Sequence, residues 1–421
     1  MEIFDSLTGL YSKKGFSYKA QETLESDSNT SYQIVYSDVR HLKLVNDLYG
    51  IPEGDKLIQK IGKALKDSNT PGAIYARLDG DQFATLVSKE NAQSIIDLLT
   101  KTEFCVDACK TYKVHIDVGV YEIEDRTVPI TIMCDRAKMA LNTIKEDVLK
   151  QVAYYSDTIR EQMVKEQMLF GEMHRAIRDR EMIIYLQGLY DSNENLVGAE
   201  ALVRWAHPEK GILSAGEFVG VLENNGLIVS LDQYVWELAC QQLQKWQQEG
   251  KSDLFLAVNI SAKDFDTIDV CEVLIGLVNK YGINPEKLRL EITETALMTS
   301  VDNTIKVIEK LRENGFKVEI DDFGSGYSSL NMLKDIVVDV VKLDMKFLRK
   351  CKDEERSKTI LQMMVDLVKK LDMQVIVEGV ETKEQLEFLK SYNCDVFQGY
   401  LLMRPMDVEN FERIYFNGQV T

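Results

Sequence analysis

The chain has 421 residues, more than one ordinary domain, so two domains are expected. Hydrophobic residues make up 45% and charged residues 28%, with only 6 Pro, which excludes collagen-like and low-complexity classes. The 68 acidic residues outnumber the 50 basic ones and leave a net charge of −18, which disfavours a grip on long nucleic acid. A small phosphate ligand is still compatible with that charge, because metal cations invert the local field.

No run of about 18 apolar residues predicts a membrane span. The opening segment MEIFDSLTGLYSKKGF lacks the charged and apolar regions of a signal peptide. The seven cysteines are scattered, and only Cys105 and Cys109 stand close. They read as reduced, mostly buried thiols of a cytosolic protein rather than half of a metal site.

In chain order, SYQIVYSDV at 31–39 predicts a strand and 51–66 a helix. AIYARL and QFATLVS flank Asp79-Gly80-Asp81 and predict a hairpin. A helix near 90–101, a strand at 113–123 and a helix near 129–146 complete an α+β domain over 1–157. Residues 157–180 are charged and helix-prone, and fit a stiff helical connector. The domain at 158–421 then alternates eight β-rich runs with amphipathic stretches: MIIYLQGLY, VGAEALVRW, LFLAVNIS, KLRLEIT, FKVEIDDF, VDVVKLD, QVIVEGV and CDVFQGY. Eight strands in about 250 residues, alternating with helices, predict a (β/α)8 barrel.

Those runs carry Gln187, Glu200, Asn259, Glu291, Asp321 with Asp322, Lys342, Glu378 and Gln398, nearly all at or near the C-terminal end of their strand. Barrel enzymes build their sites on that face. Any one acid there reads equally well as a helix N-cap, but the set together points to a shared site. Carboxylate and amide oxygens suit Mg2+ or Mn2+, and the absence of His and Cys from the set disfavours zinc. The number of carboxylates fits two ions, a device for phosphodiester hydrolysis, while an enolase-type site with a Lys base also uses such groups.

Glu200-Ala201-Leu202, VNIS at 258–261, EITE at 291–294, DDFGSGYSSL at 321–330, KLD at 342–344, EGVET at 378–382 and QGYLLMRP at 398–405 resemble the EAL phosphodiesterase family over roughly 165–418. That resemblance implies a modified TIM barrel that hydrolyses cyclic di-GMP to linear pGpG with two Mg2+ or Mn2+ ions. It implies that Glu200, Asn259, Glu291 and Asp321 hold one metal, and that Asp321, Asp322 and Glu378 hold the second. The same resemblance implies that Lys342 orients the attacking water, that Glu378 doubles as a candidate general base, that Gln187, Arg204 and Gln398 contact substrate, and that Glu294 braces the loop at 324–330. Gly188 stands where the family usually has Pro, and Ser325 where it usually has Thr.

DSLTGLYSKKGF at 5–16, DVRHLKLVNDLYGIPEGD at 38–55 and RLDGDQF at 77–83 resemble the GGDEF diguanylate cyclase family. The signature is altered: Asp79 replaces a Gly and Gln82 replaces an acid. Asp38 and Asp81 match metal positions, Asn46 and Asp55 match guanine contacts, and Lys43 is retained, with Lys145 a further phosphate contact. The inhibitory RxxD is absent where Thr70 and Ala73 stand. The resemblance therefore implies a degenerate cyclase domain that binds GTP as a regulator, or serves as a dimerisation module. Together the two families imply a cytoplasmic homodimer. The alternative reading is a non-catalytic cyclic di-GMP receptor that signals through conformation.

Overall fold

The computed structural model describes residues 3–106, 109–145, 147, 149–251, 253–299, 301–324, 333–334, 336–345 and 354–417. The chain divides into two compact units, Met1–Lys165 and Glu166–Thr421. The helix Asp157–Arg178 runs through that boundary.

In the first unit the strands are β1 (Tyr32–Val39), β2 (Ile74–Asp79), β3 (Gln82–Ser88), β4 (Phe104–Val106), β5 (Cys109–Val114), β6 (Ile116–Glu122) and β7 (Val152–Tyr154). One sheet runs in the order β2-β3-β1-β6-β7, and β4 pairs with β5. All eight residues of β1 are buried, as a central strand covered on both faces requires. Helices Ile51–Asp67 and Lys89–Lys101 pack on one face through Leu57, Ile61 and Ile95. Helices Lys13–Ser26 and Ile130–Asn142 pack on the other through Phe16, Ala20, Met133 and Ala137. Gly119 permits that second contact: a Cβ there would lie 1.9 Å from the Ala137 carbonyl oxygen.

The single strand expected over 113–123 is two. Val114 pairs with Phe104, whereas Ile116 pairs with Val39. The chain changes partner at His115, whose carbonyl accepts from the Arg40 amide at 2.8 Å.

In the second unit the strands are β8 (Met182–Asp191), β9 (Leu196–His207), β10 (Gly211–Ser214), β11 (Phe255–Ile260), β12 (Leu288–Thr293), β13 (Lys317–Asp321), β14 (Val340–Asp344), β15 (Gln374–Glu378), β16 (Val396–Phe397) and β17 (Met406–Asp407). The order β9-β11-β12-β13-β14-β15-β16-β8 closes on itself through the β8–β9 pairing. Neighbours from β9 to β16 are parallel, but β8 is antiparallel to both β9 and β16. The barrel is therefore a modified one, and Gln187 lies in the middle of a reversed strand. Its expected place near a C-terminal strand end is corrected by this reversal.

The barrel interior is layered. Leu189, Phe255, Ala257, Val340, Ile376 and Val396 form an apolar plug. Gly198 leaves room for the Phe255 ring, which a Cβ would approach to 2.5 Å. Beside the plug the Arg289 guanidinium lies 3.5 Å from the Phe255 ring centroid and pairs with the fully buried Glu319 at 3.0 Å. The polar layer follows at the C-terminal ends of the parallel strands. No helix among the described residues is long and apolar enough to cross a membrane.

Candidate active site in the barrel

Lys342 on β14 is the hub. Its side chain is 1% exposed, although four carboxylates surround it. Nζ lies 2.7 Å from Glu291 Oε1 on β12, 3.5 Å from Asp321 Oδ1 on β13 and 3.7 Å from Glu200 Oε2 on β9, and it also pairs with Glu378 on β15. Register explains the convergence. Asn259 stands opposite Glu291 on neighbouring parallel strands, and Thr293 opposite Asp321, so the polar side chains share one end of the sheet. Glu200 is the last residue of β9 to pair with β11.

The reversed strand still delivers its glutamine. Gln187 pairs in register with Glu200 across the antiparallel β8–β9 ladder. Gln398 donates to Glu200 Oε2 at 2.6 Å and to Gln187 Oε1 at 3.2 Å, while Gln187 donates to the Met403 carbonyl at 3.1 Å. The Gly188 amide donates to Met403 Sδ at 3.2 Å, a contact that a proline at this position could not make. Asn259 Nδ2 approaches Glu200 Oε1 at 3.5 Å and Glu291 Oε2 at 3.4 Å. The Trp236 indole donates to the Asn259 carbonyl at 2.9 Å and fixes the end of β11.

Asp322 follows in the left-handed region at φ 53°, and its amide donates to Asp321 Oδ1 at 2.9 Å. Glu294 Oε2 accepts from the Gly324 amide at 3.2 Å, a direct brace on the start of the expected loop. Residues 325–330 of that loop, Ser325 included, lie outside the described residues. Arg204 is partly buried, donates to the Val203 carbonyl at 2.8 Å and lies 5.4 Å from the Tyr185 ring centroid.

Burial and crowding set the protonation states. Burial pushes the Glu378 carboxyl up to about 8, against the pull of Lys342 and with help from Asp321 and Glu200. Burial and then the Glu200 charge push Glu291 well above the usual carboxylate range. Burial opposes the charge on Lys342, but the surrounding carboxylates outweigh it and hold the ammonium well above its usual value.

Among the described residues no three acidic, imidazole or thiol groups already stand as a coordination cluster, because the ammonium occupies the middle of the set. The donors nonetheless fit a hard divalent cation. Glu291 Oε1 and Glu378 Oε1 are buried and face the Lys342 ammonium, and Asn259 is exposed at the mouth beside Glu200 and Glu291. A cavity of about 490 Å3 opens next to the acids, lined by Leu202, Val219, Leu231, Asp232 and Asn259.

The model of the EAL domain family matches residues 171–405, more than half of the chain. This chain belongs to the EAL family. Ahead of that domain, the family model described as diguanylate cyclase, GGDEF domain, matches residues 2–151. The cyclic di-GMP phosphodiesterase NbdA of Pseudomonas aeruginosa is 31% identical over 427 residues, covering 99% of this chain and 54% of that protein. The chain spans about half the length of such curated relatives. The solved PaMucR phosphodiesterase in complex with c-di-GMP is 33% identical at a TM-score of 0.55, covering 58% of this chain and 99% of that one. The Vibrio cholerae LapD S helix–GGDEF–EAL structure, 21% identical at a TM-score of 0.58 over 95% of this chain and 96% of that one, shares the fold.

In the GGDEF-family domain the structure brings together only part of the expected nucleotide set. Asp38 on β1 pairs with Lys145 at 2.7 Å. Asp81 lies beside it, its carboxyl raised by burial and then by the Asp38 charge. Asp38 Oδ1 and Asn46 Oδ1 are buried and accept no hydrogen bond. Asn46 faces Gly54, where a Cβ would come within 1.9 Å of its Oδ1. Lys43 and Asp55 are exposed and are not drawn into this group. Gln82 accepts from the Tyr36 hydroxyl at 2.6 Å and from Lys138 at 3.4 Å, so its amide is turned into the domain. Asp79 is exposed on the hairpin, beside Gly80 at φ 46°.

Sequence reasoning missed two acids near the EAL-domain site. Asp232 is buried on the helix Ile228–Gln248 and lines the cavity. Burial first, and then the neighbouring Asp264 carboxyl, push it well above the usual range. Glu319 is fully buried two residues before Asp321. In both cases the signal was an acid at an apolar-facing position, in LDQYVW and VEIDD.

Proposed function

We propose that this chain hydrolyses cyclic di-GMP to linear pGpG in the cytoplasm, with two Mg2+ or Mn2+ ions. Glu200, Asn259, Glu291 and Asp321 would hold one ion, and Asp321, Asp322 and Glu378 the other. When bound, the ions supply charge neutralisation on the phosphoryl oxygens and activation of water. The observation that carries the reading is the buried Lys342 ammonium ringed by Glu200, Glu291, Asp321 and Glu378.

In the reaction, water oxygen attacks phosphorus, the P–O3′ bond breaks, and the water's protons end on the 3′-hydroxyl and in solvent. The Lys342 ammonium, confined by Glu291 and Glu378, orients the attacking oxygen and stays charged throughout. Gln398 and Gln187 hold the Glu200 carboxylate in one orientation. The cavity at Leu202, Leu231 and Asp232 suits a purine base: its walls are mostly apolar, and the buried Asp232 carboxyl would meet the ring N–H edge.

In the first domain, Asp38, Asp81, Lys145 and Asn46 support retention of a guanine nucleotide. Asp79 and Gln82 work against cyclisation, since they add a charge where a triphosphate approaches and remove an acid. The domain acts as a GTP-responsive modulator within a homodimer. The test is cyclic di-GMP turnover by the purified chain with Mg2+ or Mn2+, with and without millimolar GTP, following pGpG by chromatography. Turnover abolished by EDTA is expected. Tight binding without turnover in either metal would replace the enzyme with a receptor, and absence of any GTP binding would remove the regulatory role.

A further inference from the structure

Four acids share the Lys342 ammonium at the barrel mouth, and a fifth lies just below them. Glu319 is fully buried on β13, two residues before Asp321, so both side chains point into the barrel. It stands in register between Glu291 on β12 and Val340 on β14. Val340 precedes Lys342 by two residues on the inward face of β14, a rise of about 6.6 Å. The flexible four-carbon stem of a lysine covers that distance. Glu319 is thus within reach of Lys342, and such a pairing would draw the ammonium down and away from the acids above. Among the described residues Lys342 pairs with Glu200, Glu291, Asp321 and Glu378, and not with Glu319.

Arg289 is what stands in the way. It lies on β12 two residues before Glu291, on the same inward face, and its Nη1 donates to Glu319 Oε1 at 3.0 Å. The Phe255 ring, 3.5 Å from the guanidinium, fixes it from the other side, and Gly198 leaves the room for that ring. As a source of stability the pair is poor. Among the described residues Arg289 Nε and Glu319 Oε2 are buried and make no hydrogen bond, and a buried pair with such open atoms offsets little of its desolvation cost. As a lock on charge it is well placed: the Lys342 charge also acts on Glu319, but less than Arg289 does.

We propose that Arg289 is a positioning residue for phosphodiester hydrolysis: it holds Glu319 one layer below the site, so that the Lys342 ammonium keeps its place among Glu200, Glu291, Asp321 and Glu378. The inference rests on the phosphodiesterase reading and adds to it a residue that touches neither substrate nor the proposed metal ligands' cations. Removing Arg289 frees a buried carboxylate that must find another cation. Lys317, two residues before Glu319, is already engaged with Asp339 at 3.2 Å, which leaves Lys342. Once Lys342 turns down, the attacking water loses the group that orients it. The acids at the mouth lose their internal counter-charge at the same time.

The experiment uses the full chain as wild type, R289M, E319Q and R289M/E319Q. It measures kcat and KM for cyclic di-GMP, and the Kd of Mn2+ by calorimetry on the metal-stripped chain. R289M is expected to lose roughly a hundredfold in kcat at little changed KM, since a misplacement of about 1 Å costs that much. It should also bind Mn2+ more tightly than wild type, because the acids have lost their ammonium. E319Q and the double variant should keep kcat within about threefold of wild type, because neither leaves Lys342 a charged partner below. Wild-type kcat in R289M would overturn the proposal. So would equal losses in R289M and E319Q, or weaker Mn2+ binding in R289M, since both mark an ion pair that only props the barrel. If R289M does not fold, the double variant decides: kcat within about threefold of wild type supports the proposal and a larger loss overturns it. If the wild type turns over no cyclic di-GMP, the phosphodiesterase reading fails by itself. The Mn2+ affinities then decide the place of Lys342: tightening in R289M that the double variant reverses supports it, and any other pattern overturns it.

Discussion

Lys342→Met tests the electrostatic core of the site. The change keeps most of the stem and removes the charge, so the loss is the ammonium's own. At 2.7 Å from Glu291 and an effective dielectric constant of about 20, one such pair carries roughly 6 kcal/mol before desolvation. Desolvation of a side chain only 1% exposed cancels much of that sum. Truncating one partner of a buried pair leaves a net cost of about 3–5 kcal/mol, because the remaining carboxylates stay buried together. For a unit of this size that corresponds to a drop in Tm of roughly 6–20 °C. The assay is thermal unfolding of wild type and variant in EDTA and again in excess Mg2+. The variant should melt lower in EDTA and recover a larger share of its stability than wild type when Mg2+ is added, because a divalent cation replaces the lost charge. Turnover should stay abolished even in Mg2+. Equal Tm values in EDTA, or a smaller Mg2+ response in the variant, would refute the view that the ammonium balances these acids.

Glu200→Ala and Asp321→Ala each remove a proposed ligand and should lower cyclic di-GMP turnover at least about a hundredfold; full activity in either would overturn the ligand set. Gly399→Ala places a Cβ 2.1 Å from the Val380 carbonyl oxygen and should cost about 2–3 kcal/mol of stability, read as a lower urea midpoint at unchanged slope; a neutral result would refute the close packing there. Asp232 keeps its proton in the folded state above the usual carboxylate range, through burial and the adjacent Asp264, with Glu223 adding to the effect. The folded chain then binds a proton that the unfolded chain has released, so this group's contribution to stability falls as pH rises above about 4. Asp232→Asn should flatten the decline of Tm between pH 5 and pH 8, and an unchanged slope would place the proton elsewhere.

Much of the barrel was legible because each strand is a short apolar run interrupted by one polar residue, as in VIVEGV around Glu378. What the pattern does not carry is direction. An alternating run reads the same forwards and backwards, so the reversal of β8 and the mid-strand place of Gln187 became visible only through pairing. Direction mattered little for the chemistry, because the antiparallel register still sets Gln187 opposite Glu200. The helix Lys13–Ser26 went unread for a different reason. Its buried face is only Gly15, Phe16, Ala20 and Leu24, too few large apolar residues to mark a period in the sequence. The merged strand at 113–123 hid a change of partner, which one apolar run cannot express. Glu319 was hidden by the louder Asp321-Asp322 pair beside it. Its role needs Arg289, 30 positions earlier, and no local pattern connects them.

The charge balance around Lys342 links these features. Glu200, Glu291, Asp321 and Glu378 face one ammonium, an excess of acid that the interior tolerates only by holding protons or cations. The raised Glu291 and Glu378 carboxyls are the protonic form of that tolerance. A divalent cation would be the other form, and the two would compete, so a metal held by the proposed ligands would release protons from the same carboxyls. The Arg289–Glu319 pair underneath is neutral as a unit and adds nothing to the excess, while its stacking on Phe255 fills the space below. The barrel thus separates a closed, self-compensated ion pair from an open, uncompensated one one layer above it. Only the open layer has reason to bind cations and, through them, a phosphodiester.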